Sequence, residues 1–217
     1  MKVRGLLVVN CLIAAAMAGF AWWVAAGLAP GAELPIHWNA TGKADRFAPA
    51  LAALLWPAGT SMLLGGLFAA IPRLEPLQHR LEGSAALLRS AWIGIMLLMV
   101  FVQLMIAAPA LGWNIGTELL LVGIGALLVM IGDSLPKSRP GFFVGIRTPW
   151  TISDTDNWIA THRLGGKIMM GAGCLTVLAA FVPVPPTARV AAIIGLTGIA
   201  VVVPVFYSWW LWRNKAG

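Results

Sequence analysis

The segment 30–48 holds a dense set of polar and ionisable side chains, including His37, Asp45 and Arg46. A metal ion would need three or four converging ligands, and His37 with Asp45 is too small a set. We therefore expect this loop to recognise a ligand without a metal or another cofactor. Its aromatic residues should let it fold back onto the neighbouring helix ends as a small cap.

A second polar segment, 136–167, contains His162 together with Ser153 and Thr161. Covalent catalysis needs a nucleophile, a base and a group that orients the base. Serine, threonine and histidine often occur together in one segment without catalysis, so these three residues do not predict such a set. The sequence therefore favours a protein that binds its target over an enzyme.

The composition places the chain in a membrane. Of 217 residues, 59% are hydrophobic and 11% are charged, whereas an average soluble domain carries roughly 25% charged residues. So few charged side chains could not cover a soluble globule. An ordinary soluble enzyme, a disordered chain and a nucleic-acid-binding domain are thereby excluded.

Six stretches are long enough to span the bilayer, since a spanning helix needs about 20 apolar residues. The first is too long for a cleaved signal peptide and ends in two tryptophans where small residues would be needed, so it is interpreted as a span. The fold expected is an all-α integral membrane protein with six transmembrane helices. The stretches are 5–29, 49–71, 90–111, 114–135, 168–184 and 190–212.

The distribution of lysine and arginine predicts that both termini are cytoplasmic (N-in/C-in). Twelve of the 15 basic residues, Lys2 and Arg80 among them, fall in segments on the side of the N-terminus. The other three are Lys43, Arg46 and Arg189. This asymmetry explains the net charge of +7, so no nucleic-acid partner is needed.

A short interfacial helix is expected before the fifth span. Ser153 can cap it, and Trp158 and His162 share one of its faces through their four-residue spacing. His162 is interpreted as a polar residue at the interface. Gly165 and Gly166 would then allow a bend into the span.

Arg147 is expected to act as a clamp within the second segment. Gly145 and Pro149 restrict the backbone around it, and a guanidinium can hold a carboxylate with two parallel hydrogen bonds. The expected partner is Asp154 or Asp156. A lipid phosphate is the external alternative.

Polar residues inside the predicted spans are candidates for function, because they are costly in hydrocarbon. Gln103, Asn114 and Glu118 lie within reach of one another near the outer third of the membrane, by their distance from the span ends. They could form a helix–helix hydrogen bond. Alternatively, Gln103 and Glu118 could line the path of a transporter for a small molecule or a lipid.

Two stretches resemble known bacterial sequences. Residues 35–49 read PIHWNATGKADRFAP and resemble the extracellular signature of a domain of unknown function, Pro-x-His-x-Asn followed by Gly and Asp-Arg. Residues 141–163 read GFFVGIRTPWTISDTDNWIATHR and resemble the signature of the SdpI family, Gly-Ile-Arg-Thr-Pro-Trp-Thr followed by Trp and a closing Arg. The two domains often occur in this order in one chain. One departure is His162, where the pattern would have Asn.

The resemblance implies a multi-pass immunity protein of the bacterial plasma membrane. Such a protein would bind or neutralise a secreted toxic peptide without turnover and would signal to a transcriptional repressor on the cytoplasmic side. Membrane lipids, the peptide and the repressor are thus the expected partners. The implied regions are 1–71, with two spans and the loop 30–48, and 72–217, with four spans and the loop 136–167.

The candidate binding residues follow from the same motifs. Asp45 and Arg46 are expected to form a local pair with the loop backbone that holds His37 and Trp38 toward the ligand. The outer candidates are Pro35, His37, Asn39, Gly42, Asp45 and Arg46. The inner candidates are Gly145, Arg147, Thr148, Pro149, Trp150, Trp158 and Arg163.

Overall fold

The computed structural model describes residues 3–76 and 82–215. Lys2 and Arg80 lie outside the described residues. Within these described ranges, six long helices each have the length and composition to cross a membrane, so the predicted all-α fold with six spanning helices is confirmed. They are α1 Arg4–Ala26, α2 Ala50–Leu74, α3 Ala85–Ala107, α4 Glu118–Ser134, α6 Thr155–Phe181 and α7 Pro186–Lys215, with the short α5 Pro149–Ser153 before α6.

The helices pack largely in chain order. α1, α2 and α3 form one group, α3 also packs on α4, and α6 lies between α4 and α7. Single 3₁₀ turns, Glu82–Ser84 and Leu135–Lys137, precede α3 and follow α4. Because α3 packs on both α2 and α4, the division of the chain at residue 71 stays a prediction.

The contact between α4 and α6 brings two helix backbones together at glycines. A Cβ on Gly125 would lie 2.6 Å from the carbonyl oxygen of Gly173, and a Cβ on Gly166 would lie 2.6 Å from that of Gly132. No real side chain fits at these distances. Small residues permit such close approach in membrane helices, where packing and hydrogen bonding replace the hydrophobic effect.

The bend expected at Gly165 and Gly166 is absent, because both residues lie inside the continuous helix α6. Gly166 is needed for contact with α4, and Gly165 packs against α7 near Pro204. The fifth span therefore begins at Thr155, well before the predicted residue 168. A glycine pair was interpreted as a turn signal, but here the glycines serve close packing.

The helix cap predicted at Ser153 is also wrong. Asp154 caps α6, since its Oδ1 accepts hydrogen bonds from the backbone N–H of Asp156 at 2.9 Å and of Asn157 at 3.3 Å. Ser153 instead ends α5, and its hydroxyl donates to the carbonyl of Pro149 at 2.7 Å. A short helix does precede the fifth span, but it consists of residues before Asp154.

The loop 30–48 forms an antiparallel hairpin, with β1 at Glu33–Trp38 and β2 at Ala44–Pro49. Leu34 is buried against α1, α2 and α3, in a cluster that includes Val24, Leu54 and Ile106. The expected cap on the helix ends is thus confirmed, in the form of two strands. We call this end of the molecule the hairpin end, and the opposite end, with residues 136–154, the motif end.

Replacing Gly125 by Ala should destabilise the protein, because the added methyl group would push α4 away from Gly173. Overpacking of this kind costs about 1–3 kcal/mol, so the melting temperature in detergent should fall. Gly171→Ala is the matched control, since a Cβ at Gly171 meets nothing within 4 Å. An equal effect of the two substitutions would contradict this account of the interface.

Orientation can be tested by cysteine labelling in a background of Cys11→Ala and Cys174→Ala. A cysteine replacing Lys43 at the hairpin end should react with an impermeant maleimide in intact cells. One replacing Lys137 at the motif end, where the side chain is exposed, should react only after permeabilisation. The reverse pattern would overturn the predicted N-in/C-in topology.

Candidate functional site

At the motif end, Glu75 holds the loop that precedes α5. Its carboxylate is 2% exposed and accepts hydrogen bonds from the backbone N–H groups of Phe142, at 3.1 and 3.0 Å, and of Phe143, at 3.0 Å. Hydrogen bonds to a charged acceptor are stronger than neutral ones. Glu75 therefore fixes the backbone of the loop to the end of α2.

Gly145 lies against a buried aromatic stack. The rings of Trp158 and His162 are 4.0 Å apart and nearly parallel, and a Cβ on Gly145 would lie 2.6 Å from His162 Nε2. Gly145 also has a φ of +115°, which disfavours any other residue. Trp158 Nε1 donates to the carbonyl and hydroxyl oxygens of Ser138 at 3.3 and 3.2 Å. Gly145 and Trp158 thus shape the motif from inside.

His162 is fully buried, so its predicted position at the interface is wrong. The backbone N–H of Ile146 donates to His162 Nε2 at 2.8 Å, and His162 Nδ1 lies 2.8 Å from the carbonyl oxygen of Trp158. Because Nε2 accepts, the proton must be on Nδ1, which donates to that carbonyl. The imidazole therefore bridges the motif loop and α6 as a neutral ring.

A connected hydrogen-bond network joins α5 and α6 to α7. Thr148 and Thr151 form a capping box, with Thr151 N donating to Thr148 Oγ1 at 3.2 Å and Thr148 N donating to Thr151 Oγ1 at 2.9 Å. The hydroxyls of Thr148 and Ser208 are 3.1 Å apart, and Asn157 Nδ2 donates to the carbonyl of Ser208 at 2.8 Å. Thr161 donates to Asn157 Oδ1 at 3.0 Å. Buried networks whose members are all satisfied add rigidity.

The next two motif residues are structural as well. Pro149 occupies the first turn of α5, where its missing N–H costs no hydrogen bond. The ring of Trp150 lies 5.9 Å from that of Trp212 near the end of α7. The motif therefore fastens α5 to α7.

The predicted contact of Arg147 with Asp154 or Asp156 is wrong. Arg147 Nη1 donates to the carbonyl of Phe142 at 2.7 Å, which closes the loop between them. Lys215 lies 2.8 Å from Asp154 and 3.5 Å from Asp156, so these carboxylates are paired with the end of α7. The hydrogen bond from Lys215 lowers the pKa of Asp154.

The motif end also presents side chains to its surroundings. Phe142 and Phe143 are 45% and 39% exposed; Arg147 in the same loop and Arg163 on α6 are exposed as well. We call these four residues the motif surface. The two guanidinium groups can bind carboxylate or phosphate groups of a partner, and the exposed rings add apolar contact area.

At the hairpin end, Asn39 organises the turn between the strands. Its Oδ1 accepts from the backbone N–H groups of Thr41 and Lys43 at 2.9 and 3.1 Å, as in an Asx turn. Gly42 has a φ of +79°, which glycine adopts without strain. Pro35 is buried in β1. These residues of the predicted outer site therefore shape the hairpin.

His37 and Asp45 face each other across the strands, with Nδ1 and Oδ1 2.6 Å apart. Both side chains are partly exposed. Asp45 thus contacts His37 itself, whereas the sequence predicted a contact of Asp45 and Arg46 with the loop backbone. Arg46 is exposed and, among the described residues, makes no side-chain hydrogen bond or ion pair.

A groove of about 340 Å³ separates the hairpin from the first turns of α4 and α7. Arg189 Nη1 donates to Glu118 Oε1 at 2.9 Å within it. The groove combines this ion pair with apolar walls, a combination typical of ligand sites. Its lining comprises Ile36, His37, Trp38, Asn39, Ala40, Gly42, Val102, Thr117, Glu118, Leu120, Leu121, Pro186, Arg189, Val190 and Ile193.

The predicted cluster of Gln103, Asn114 and Glu118 does not form. Gln103 is buried, and its amide donates to carbonyl oxygens on α1 and α2 at 2.8 and 2.9 Å. Asn114 is exposed, and Glu118 pairs with Arg189. Among the described residues no hydrogen bond joins the three, because the backbone of α1 and α2 provides the nearer acceptors for Gln103.

Sequence reasoning missed Glu75 and Arg189 as site residues. Glu75 was one acidic residue in a short connection, and nothing in the sequence pairs it with residues 67 positions later. Arg189 was counted only for topology. Its opposite charge to Glu118, with both at the outer ends of predicted spans, was the available signal.

Comparison with known proteins finds a family match that includes the motif end. Residues 137–208 match the SdpI/YfhL protein family. The match covers 72 of the 217 residues. The chain is also 25% identical over 150 residues to "Immunity protein SdpI" of Bacillus subtilis (strain 168), an alignment that covers 69% of this chain and 70% of the relative. No solved structure matches the chain.

The resemblance to the SdpI family is therefore confirmed, and the chain is a multi-pass bacterial membrane protein. The SdpI/YfhL region includes the network from Thr148 to Ser208 as well as Arg189. Glu75, His37 and Glu118 lie outside it. The family region thus depends on α2 for the anchor of its own motif loop.

Glu75→Gln should loosen the motif loop, because an uncharged amide oxygen is a weaker acceptor and its NH₂ group faces backbone donors. A buried donor without a partner costs about 1–3 kcal/mol. We expect a lower melting temperature and faster amide hydrogen exchange at residues 142 and 143. Glu33→Gln, at an exposed position of β1, should leave both quantities unchanged. Unaltered exchange in Glu75→Gln would refute the anchoring role.

Proposed function

We propose that this chain is a membrane immunity protein that binds a secreted, membrane-active peptide at its hairpin end. The groove between the hairpin and α4 and α7 is the observation that carries this proposal. It is open at the level of the helix ends, where a peptide partitioning into the membrane surface would arrive. Binding alone, without turnover, would keep such a peptide from acting on the lipid.

The hairpin supplies a preorganised wall for this groove. Asn39 and Gly42 fix the turn, and the contact between His37 and Asp45 restrains the imidazole at the rim. Trp38 contributes a large apolar surface beside it. Rigid contact groups lower the entropy lost on binding.

Relationship to the SdpI family supports the immunity role, since the Bacillus subtilis relative is named an immunity protein. Signalling to a transcriptional repressor is a further part of the proposal. The motif surface, at the opposite end of the molecule, offers Phe142, Phe143, Arg147 and Arg163 for such a partner. Binding of the peptide in the groove would be transmitted to the motif end through α7, which contains both Arg189 and Ser208.

A transporter with a polar path at Gln103 and Glu118 is the alternative function. The contacts do not favour it, because Gln103 bonds to the backbone and Glu118 pairs with Arg189. The hydrogen bonds of Gln103 are those of a residue that holds helices together.

Asp45→Ala should weaken protection, because His37 loses the carboxylate that restrains it. Loss of one hydrogen bond of about 1 kcal/mol corresponds to roughly a five-fold drop in the tolerated peptide concentration. The measurement is the growth of a toxin-sensitive bacterium that expresses the protein under challenge with membrane-active peptides. The amount of protein in the membrane is followed by immunoblot.

Lys43→Ala is the matched control, since this exposed side chain of the same turn makes no side-chain hydrogen bond or ion pair among the described residues. It should protect as well as the unaltered chain. Full protection by Asp45→Ala would rule out the proposed role of the hairpin.

A further inference from the structure

The groove at the hairpin end has an excess of positive charge. It receives the first turns of both α4 and α7, and the N-terminus of a helix carries a partial positive charge. Arg189 adds a full charge. The only carboxylate among the lining residues is that of Glu118. Within the lining, one negative group thus faces one cation and two helix N-termini, while the carboxylate of Asp45 lies at the rim and contacts His37.

Arg189 is held firmly and is incompletely satisfied. Its Nη2 donates to the carbonyl of Val182 at 3.1 Å, and its Nη1 makes one bond to Glu118. Its Nε is buried and has no hydrogen-bond partner among the described residues. A guanidinium can bind a carboxylate through two parallel bonds, so the bond to Glu118 leaves part of this capacity unused.

The two members of the ion pair differ in exposure. The side chain of Arg189 is 12% exposed, whereas that of Glu118 is 45% exposed. Glu118 can therefore leave the pair for water at little cost, while Arg189 is fixed by Val182 and by the groove walls. An incoming anion would replace Glu118 and leave Arg189 in place.

We propose that Arg189 anchors a carboxylate of the peptide ligand and that Glu118 is an internal carboxylate which the ligand displaces. This inference rests on the proposed function and names the chemistry of the site. The walls beside Arg189 are aliphatic, with Leu121, Val190 and Ile193 among them. The ligand group that fits is a carboxylate next to apolar side chains, as at the C-terminus of an apolar peptide.

The test uses an apolar leucine–alanine hexapeptide with a fluorophore at its N-terminus, made with a free C-terminal carboxylate or with an amide. Binding to the full chain in phosphatidylcholine nanodiscs is measured by fluorescence polarisation, and empty nanodiscs give the partitioning background. The carboxylate form should bind about ten-fold more tightly, as a charge-assisted bond of about 1.4 kcal/mol requires. Equal binding of the two forms would overturn the proposal, as would no binding of either.

Two substitutions should change binding of the carboxylate peptide in opposite directions. Arg189→Gln should abolish the preference for the carboxylate form, because the anchor is gone. Glu118→Gln should strengthen binding of that form several-fold, because the internal competitor is gone. Lys43→Gln removes a charge from the same end outside the groove lining and should leave the preference unchanged.

Weaker binding in Glu118→Gln would overturn the displacement, since it would make Glu118 a structural partner of Arg189. If Arg189→Gln does not fold, Glu118→Gln still decides the question.

Octanoate should displace the bound carboxylate peptide from the unaltered chain. Displacement by octyl phosphate but not by octanoate would identify a lipid-phosphate site and refute the carboxylate. Protection in cells is measured separately, so failure of the anchor leaves the immunity proposal open to its own test.

Discussion

In the apolar interior of this protein, polar groups must find their partners within the chain, because lipid offers none. Asn10 on α1 illustrates the constraint. Its amide donates to the carbonyl of Ser61 at 3.3 Å and accepts from Trp92 Nε1 at 2.9 Å, so one side chain joins α1, α2 and α3. Gln103 does the same nearer the hairpin end. The few polar residues in the spans thus select which helices are neighbours.

The two ends of the molecule differ in how completely their polar groups are paired. At the motif end, Glu75, His162 and Ser208 each serve two elements, and the loop has little freedom left. At the hairpin end, Arg189 Nε has no partner among the described residues, and Nη1 makes a single bond to a half-exposed carboxylate. Where every donor is used, the structure is rigid. A buried donor without a partner costs free energy instead.

Packing of α6 connects these two ends. Its glycines let it approach α4 backbone to backbone, and its other side carries Asn157 toward Ser208 on α7. α7 in turn has only a narrow buried stripe, with Ala200, Pro204 and Ser208 as its buried residues. α7 is thus held along one stripe and bonded at both of its ends, to Glu118 at one and to Asp154 at the other.

The sequence alone establishes the six spans, the two polar loops and the resemblance to the SdpI family, because hydropathy and short motifs are local properties of the chain. It misplaced the start of the fifth span, since Gly165 and Gly166 look the same whether they bend a helix or pack it. The contacts of Glu75 with the motif loop and of Arg189 with Glu118 become visible only in the packed helices. These pairs are 67 and 71 residues apart, and the partner of a charge is set by which helix ends the packing brings together.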